Sequence, residues 1–389
     1  MKGQNKNVWL FSILVLVSFL SYGLMATQTQ QFMRYLGMSI SEIALLISGT
    51  SIVAMILQVI LGYLSDKFKT IKMIFRIATV IFMVSGFLVY SFGITNQIVN
   101  AIEICVMVPF TILFQSMIEN WILQTDDVKN SFGRIRVFGS LGWAIGALAS
   151  GYLVKYLEYS SLGIANILLS LYILFVAHSL EDANKESDAE IEIGDVGNLF
   201  HNAAYILLIL AFTCVHMLIN VDSYFANILI TQLNGASNDV GIYAALYAAF
   251  EIPTMMMMDK IYERLGEEKT FLVGALSIGA KFLLLSIASK ILVVQMSNAC
   301  QLFAYPFILV SQKFMISHVV PKSLQSTGLS IADSIFTGLS AIIAPIMASG
   351  LIENYSIRFG LRIFSLFALL SILFMLILHY YRRKEQIHI

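Results

Sequence analysis

The chain has 389 residues, of which 58% are hydrophobic and 12% charged, with Lys+Arg and Asp+Glu balanced at 24 each. Soluble domains carry about 25% charged residues, so this composition excludes an ordinary water-soluble enzyme and a disordered chain. With no net charge there is no field to draw it to nucleic acid, and three scattered cysteines (Cys105, Cys214, Cys300) fit neither a disulfide framework nor a zinc site.

A membrane-crossing helix needs about 20 mostly apolar residues. In chain order such windows fall near 8–27, 41–64, 73–93, 98–124, 134–156 and 160–180. They resume near 202–230, 238–260, 268–289, 291–315, 326–350 and 359–381. The first lacks a small-residue cleavage site and is followed by further spans, so it is expected to remain as a helix. The pattern predicts an all-α membrane protein of twelve helices, in two six-helix bundles over residues 1–180 and 202–389. Between them, residues 181–201 hold Glu181, Asp182, Glu186, Asp188, Glu190, Glu192 and Asp195 against Lys185 alone. Such a segment buries no core and reads as a solvated linker.

Lys and Arg concentrate in cytoplasmic loops. With the N-terminus inside, that side collects Lys2, Lys6, Lys67, Lys69, Lys72, Lys269, Arg382 and Arg383 among others. The opposite side receives only Arg34, Lys155, Lys290, Arg358 and Arg362. Both termini and the linker are therefore expected in the cytoplasm, on a multi-pass protein of the cell membrane. The halves also echo one another. Asp66-Lys67 followed by Lys72 recurs as Glu263-Arg264 followed by Lys269, displaced by 197 residues (269 − 72). Two parallel repeats of this kind suit a transporter with its substrate site near mid-membrane, although any cytoplasmic loop collects basic residues.

An ionisable group in hydrocarbon costs at least about 2.5–3.5 kcal/mol and so faces a partner or a wet path. Glu119 and Arg136 are centred on the turn 126–130, which places them at one depth on antiparallel spans four and five. They read either as a fork onto a polyol or as a structural salt bridge. Asp222 and Glu251 are likewise centred on the turn 234–239, and Lys281 reaches a similar depth from the other side. These three read as a proton-handling cluster or as a fixed charge network. Glu103 and Asp333 are weaker candidates, Arg76 is expected to snorkel, and His216 is expected to be a packing residue. Gln301 and Tyr305 flank Pro306, which is expected to kink span ten. Gly139, Gly142, Gly146 and Gly151 would let span five approach a neighbour closely. No catalytic constellation, metal-ligand spacing or phosphate-cradling loop stands out, so no enzyme activity, cofactor, metal or ATP-driven transport is expected.

Gly62-Tyr63-Leu64-Ser65-Asp66-Lys67, continuing to Lys72, resembles the loop signature of the major facilitator superfamily. The resemblance implies that fold, with Gly62, Asp66, Lys67 and Lys72 at a gating loop, although Lys69 and Ile71 depart from the pattern. Phe132-Gly133-Arg134-Ile135-Arg136-Val137-Phe138-Gly139-Ser140-Leu141-Gly142-Trp143 is similar to the fourth loop and fifth span of lactose permease and the oligosaccharide/proton symporters. By that resemblance Glu119 and Arg136 would hold sugar hydroxyls and Trp143 would stack on a sugar face. Gln301 and Ala304 stand where that group carries its proton-coupling His and Glu, so its coupling machinery does not transfer. Glu251-Ile252-Pro253 instead looks like a motif of sugar-efflux and other facilitators. The expectation is a monomeric, proton-coupled transporter in the lipid bilayer for a small, sugar-like solute. Glu119, Arg136, Trp143, Gln301 and Tyr305 would bind substrate, and Glu251, Asp222 and Lys281 would manage charge. Efflux of sugars or drugs, transport of nucleosides or aromatic acids, and a sensor that binds without transporting are the alternatives.

Overall fold

The structure is a computed structural model that describes residues 2–68, 70–92, 97–125, 128, 131–182, 197, 199–320 and 325–387. The helices are α1 (Lys2–Tyr35), α2 (Ile40–Lys67), α3 (Ile71–Phe92), α4 (Gln97–Leu123), α5 (Phe132–Leu157) and α6 (Ser160–His178). They continue with α7 (Ala203–Gln232), α8 (Ser237–Leu265), α9 (Glu267–Ile287), α10 (Ile291–Met296), α11 (Tyr305–Val319), α12 (Gln325–Asn354) and α13 (Ile357–Ile387). Among the described residues, twelve stretches are long and apolar enough to cross a membrane. The chain separates into two compact units: Met1–Ser187 with Ile230–Ala249, and Asp188–Leu229 with Phe250–Ile389.

Several helices outrun their apolar windows, and α1 shows why. Its window stops near residue 27, where Thr27, Gln28, Thr29 and Gln30 begin, yet the helix continues to Tyr35 with all four buried. Thr27 and Thr29 donate back to the Gly23 and Met25 carbonyls at 2.6 and 2.9 Å. Gln28 Nε2 donates to Ser150 Oγ of α5 (3.3 Å) and to the Ser237 carbonyl (3.1 Å). Such bonds offset the cost of burying the two threonine hydroxyls and the Gln28 amide nitrogen, while Gln28 Oε1 has no hydrogen-bond partner among the described residues. The contact between α1 and α5 depends on Gly142 and Gly146. A Cβ on either would overlap the carbonyl oxygen of Leu16 or Leu20 on α1, so no larger residue permits this approach.

Span ten differs from the expected kinked helix. It consists of α10, a 3₁₀ stretch over Ser297–Leu302, and α11, with Ala304 at φ −78°, ψ −85° between them. Pro306 lies in the first turn of α11, where its missing N–H removes no helical bond. The expected kink is therefore a break.

The linker also departs from a purely solvated segment at both described ends. Asp182 Oδ1 accepts from the Ile71 and Lys72 amides, both at 3.0 Å, and its Oδ2 accepts from Thr70 Oγ1 at 2.5 Å. Thr70 Oγ1 in turn accepts from the Met73 amide (3.1 Å), as the N-cap of α3. Lys72 Nζ reaches the other way, to the His178 and Leu180 carbonyls at the end of α6. Leu199 is buried at 3% exposure. Acidic composition suggests water, but Asp182 has a helix N-terminus to satisfy. The remaining acidic residues, Glu186 to Asp195, lie outside the described residues.

Candidate functional site

Two polar clusters form inside the apolar helices. In the first unit, Arg136 Nε of α5 donates to Glu119 Oε1 of α4 at 2.9 Å, with their side chains 31% and 28% exposed. Gln115, one turn before Glu119 on α4, donates to the same carboxylate oxygen at 3.2 Å. The Arg136 guanidinium lies over the Phe19 ring of α1, 4.8 Å from its centroid. Gly139 keeps room for this arginine, because a Cβ there would meet Arg136 Nη1 at 2.7 Å. Two turns along α5 from Arg136, Trp143 packs on Tyr22 of α1, with centroids 4.5 Å apart. The result is a half-open carboxylate–guanidinium pair beside an aromatic wall.

The second unit holds the other cluster, and it is closed. Lys281 Nζ of α9 donates to Asp222 Oδ2 of α7 at 2.8 Å, with side chains 0% and 3% exposed. Glu251 of α8, also buried, accepts from Gln301 Nε2 of the 3₁₀ stretch at 3.5 Å and acts electrostatically on Lys281. Pro253, two residues past Glu251, removes a backbone donor inside α8. One cation thus serves two carboxylates, all three buried. His216 Nε2 donates to Gln312 Oε1 (3.0 Å) and packs on Phe336, which makes it a satisfied packing residue.

Three side-chain contacts therefore join different helices: Glu119 with Arg136 across the α4–α5 hairpin, Asp222 of α7 with Lys281 of α9, and Glu251 of α8 with Gln301 of the 3₁₀ stretch. Gln301 is not placed among the expected sugar contacts; it is 1% exposed and turned to Glu251. Tyr305 begins α11 half-buried. At the expected gating loop, Lys72 caps α6, while the surroundings of Gly62 and the side chains of Asp66 and Lys67 lie outside the described residues. Asp333 is exposed, and Glu103 is half-buried with an Oε2 that has no hydrogen-bond partner among the described residues. Sequence reasoning missed Gln115, Phe19 and Tyr22. Gln115 could have been found one turn from Glu119. Phe19 and Tyr22, three residues apart on α1, could have been found on the helix that meets the glycines of α5. Among the described residues, no group of three His, Cys, Asp or Glu could hold a metal ion.

A profile described as "MFS_1 like family" matches residues 8–379. The chain belongs to that family. It is a membrane transporter of the major facilitator superfamily and not an enzyme. Among similar proteins, the maltose permease of Geobacillus stearothermophilus is 25% identical over 64% of this chain and 63% of its own length. The melibiose permease of Enterobacter cloacae subsp. cloacae is 25% identical over 83% of this chain and 81% of its own length. Matching under two thirds of the maltose permease, the chain shares only part of that relative. A crystal structure of a mutant of nucleoside transporter NupG superposes with TM-score 0.83, covering 95% of this chain and 99% of that one at 15% identity. That degree of likeness establishes the fold.

Proposed function

We propose that the chain moves a small polar solute, a sugar or oligosaccharide, by proton-coupled alternating access, as a monomer with both termini in the cytoplasm. The observation that supports it most is the Arg136–Glu119 pair, ionic yet about 30% open within membrane-spanning helices. A structural bridge gains from being sealed, whereas this pair keeps donors and acceptors free for vicinal hydroxyls. Trp143 and Tyr22 supply the apolar face that a pyranose presents to an aromatic ring. Relatives named for maltose and melibiose support the same substrate class. The basic residues of the loops support the orientation.

Coupling is assigned to the closed cluster. Lys281 and Asp222 are matched at 2.8 Å, and Glu251, which is buried beside them and accepts from Gln301, is assigned as the group that takes up and releases the proton. A nucleoside is the second reading, favoured by the fold shared with a nucleoside transporter and by the same mix of ribose-like polyol and ring chemistry.

Counterflow in proteoliposomes over a panel of sugars and nucleosides tests the proposal. Exchange of a sugar that is lost in Glu119→Gln is expected. Exchange confined to nucleosides would transfer the assignment to the second reading. Saturable binding without exchange of any solute would make the protein a sensor.

A further inference from the structure

The 197-residue repeat extends from the loops into side-chain contacts, with one change of chemistry. Ile71 and Asp182 correspond to Glu268 and His379 at that offset, and Trp121 corresponds to His318. In the first half, Asp182 holds the N-terminus of α3, and Trp121 Nε1 donates to the Glu181 carbonyl at 3.0 Å. In the second half the counterparts of Ile71 and Asp182 meet again with the acid moved onto the helix, and the counterpart of Trp121 turns to the neighbouring acid. His379 Nδ1 of α13 pairs with Glu268 Oε2 at 2.9 Å, and His318 Nδ1 of α11 pairs with Glu267 Oε2 at 2.9 Å. Both carboxylates are in the first turn of α9, where the helix dipole favours negative charge.

The other groups bearing on these imidazoles are few. Arg382 Nη1 lies 3.2 Å from Glu267 Oε1 and 4.0 Å from Glu268 Oε1. Tyr262 of α8 donates to Glu267 Oε2 at 3.5 Å. Burial, with help from Glu267, pushes the Tyr262 hydroxyl up to about 12, so it remains a neutral donor. The exposed Glu263, Arg264 and Lys269 flank the same turn. Imidazole is the side chain whose charge changes between about pH 5 and 8. The first-half clamp uses no imidazole, taking only the backbone oxygen of His178. The two second-half imidazoles are 59% and 58% exposed.

We propose that the His318–Glu267 and His379–Glu268 pairs form a pH-sensitive clamp on the start of α9, tight when the facing compartment is acidic and loosened as it turns alkaline. The sign follows from charge. A protonated imidazole makes a charge-assisted bond about twice as strong as a neutral one, and that gain disappears as the proton leaves. What then remains is Arg382 and Tyr262. Among the described residues the first-half clamp holds no imidazole pair, so the proposed pH sensitivity belongs to the start of α9.

Amide hydrogen exchange of the full chain in lipid nanodiscs tests this, with rates corrected for intrinsic pH dependence. Exchange at Thr270 and Phe271 of α9, relative to Ile74 and Phe75 of α3, should be about three- to tenfold faster at pH 8 than at pH 6. In the paired variant His318→Gln, His379→Gln that ratio should be the same at both pH values. The pair Glu267→Gln, Glu268→Gln should flatten it as well, which covers the case in which the histidine variant does not insert. A pH-independent ratio in the wild-type chain overturns the proposal, as does a ratio that still rises in either variant.

Discussion

Arg136 is where side-chain chemistry decides most. Its Nε bonds Glu119 while the guanidinium lies flat over Phe19, and a lysine offers neither the fork nor the plane. Arg136→Lys should therefore cut counterflow at least about tenfold, the effect of losing one charge-assisted bond, with little change in thermal stability. Equal loss of transport and of stability would mark a structural bridge instead. Lys281 predicts the opposite pattern. Lys281→Met leaves Asp222 buried without its cation, which costs about 3–5 kcal/mol. Adding Asp222→Asn should restore most of that stability, as read from thermal unfolding in detergent. No recovery would mean the two charges are not a matched pair. The first pairing was legible in the sequence because it is centred on a short turn, and antiparallel helices place such residues at one depth; Lys281 could be set beside Asp222 by its depth alone. Gln301 was not, since its position depends on a helix break that apolar composition conceals.

At the scale of elements, glycines and caps determine which helices meet. Gly146→Leu would drive a side chain into the Leu20 carbonyl of α1. Overpacking costs about 1–3 kcal/mol or more, so a fall of several degrees in the unfolding temperature is expected, and an unchanged value would contradict the packing. The glycines were visible in the sequence; their partner helix was not. Asp182 shows a second limit. It satisfies the start of α3 from more than 100 residues away, and nothing local distinguishes it from its acidic neighbours. Asp182→Ala should lower stability by about 0.5–2 kcal/mol, the worth of an N-terminal cap, with fraying in α3 detectable by hydrogen exchange. Loss confined to the linker would contradict this role. Helix ends were misread wherever polar residues are buried, as in α1, because hydropathy counts Gln28 as wet when the structure bonds it to Ser150 and Ser237.

For the whole molecule, twelve apolar windows and the 197-residue echo were enough to specify the class of fold, since only helices satisfy a backbone in lipid. Function required more, because one scaffold serves many solutes, and here it rests on a few costly polar groups. Glu251→Gln should abolish proton-driven accumulation while preserving counterflow; accumulation at the wild-type level would remove Glu251 from coupling. The account as a whole depends on solute lying against Trp143, between Arg136 and the aromatic wall. A chain that retains Trp143 as its single tryptophan, with Trp9→Phe and Trp121→Phe, reports on this through fluorescence. A transported sugar should shift the emission saturably, and Glu119→Gln should abolish the shift. A solute that the protein transports while the emission of Trp143 stays unchanged would contradict the placement of the site.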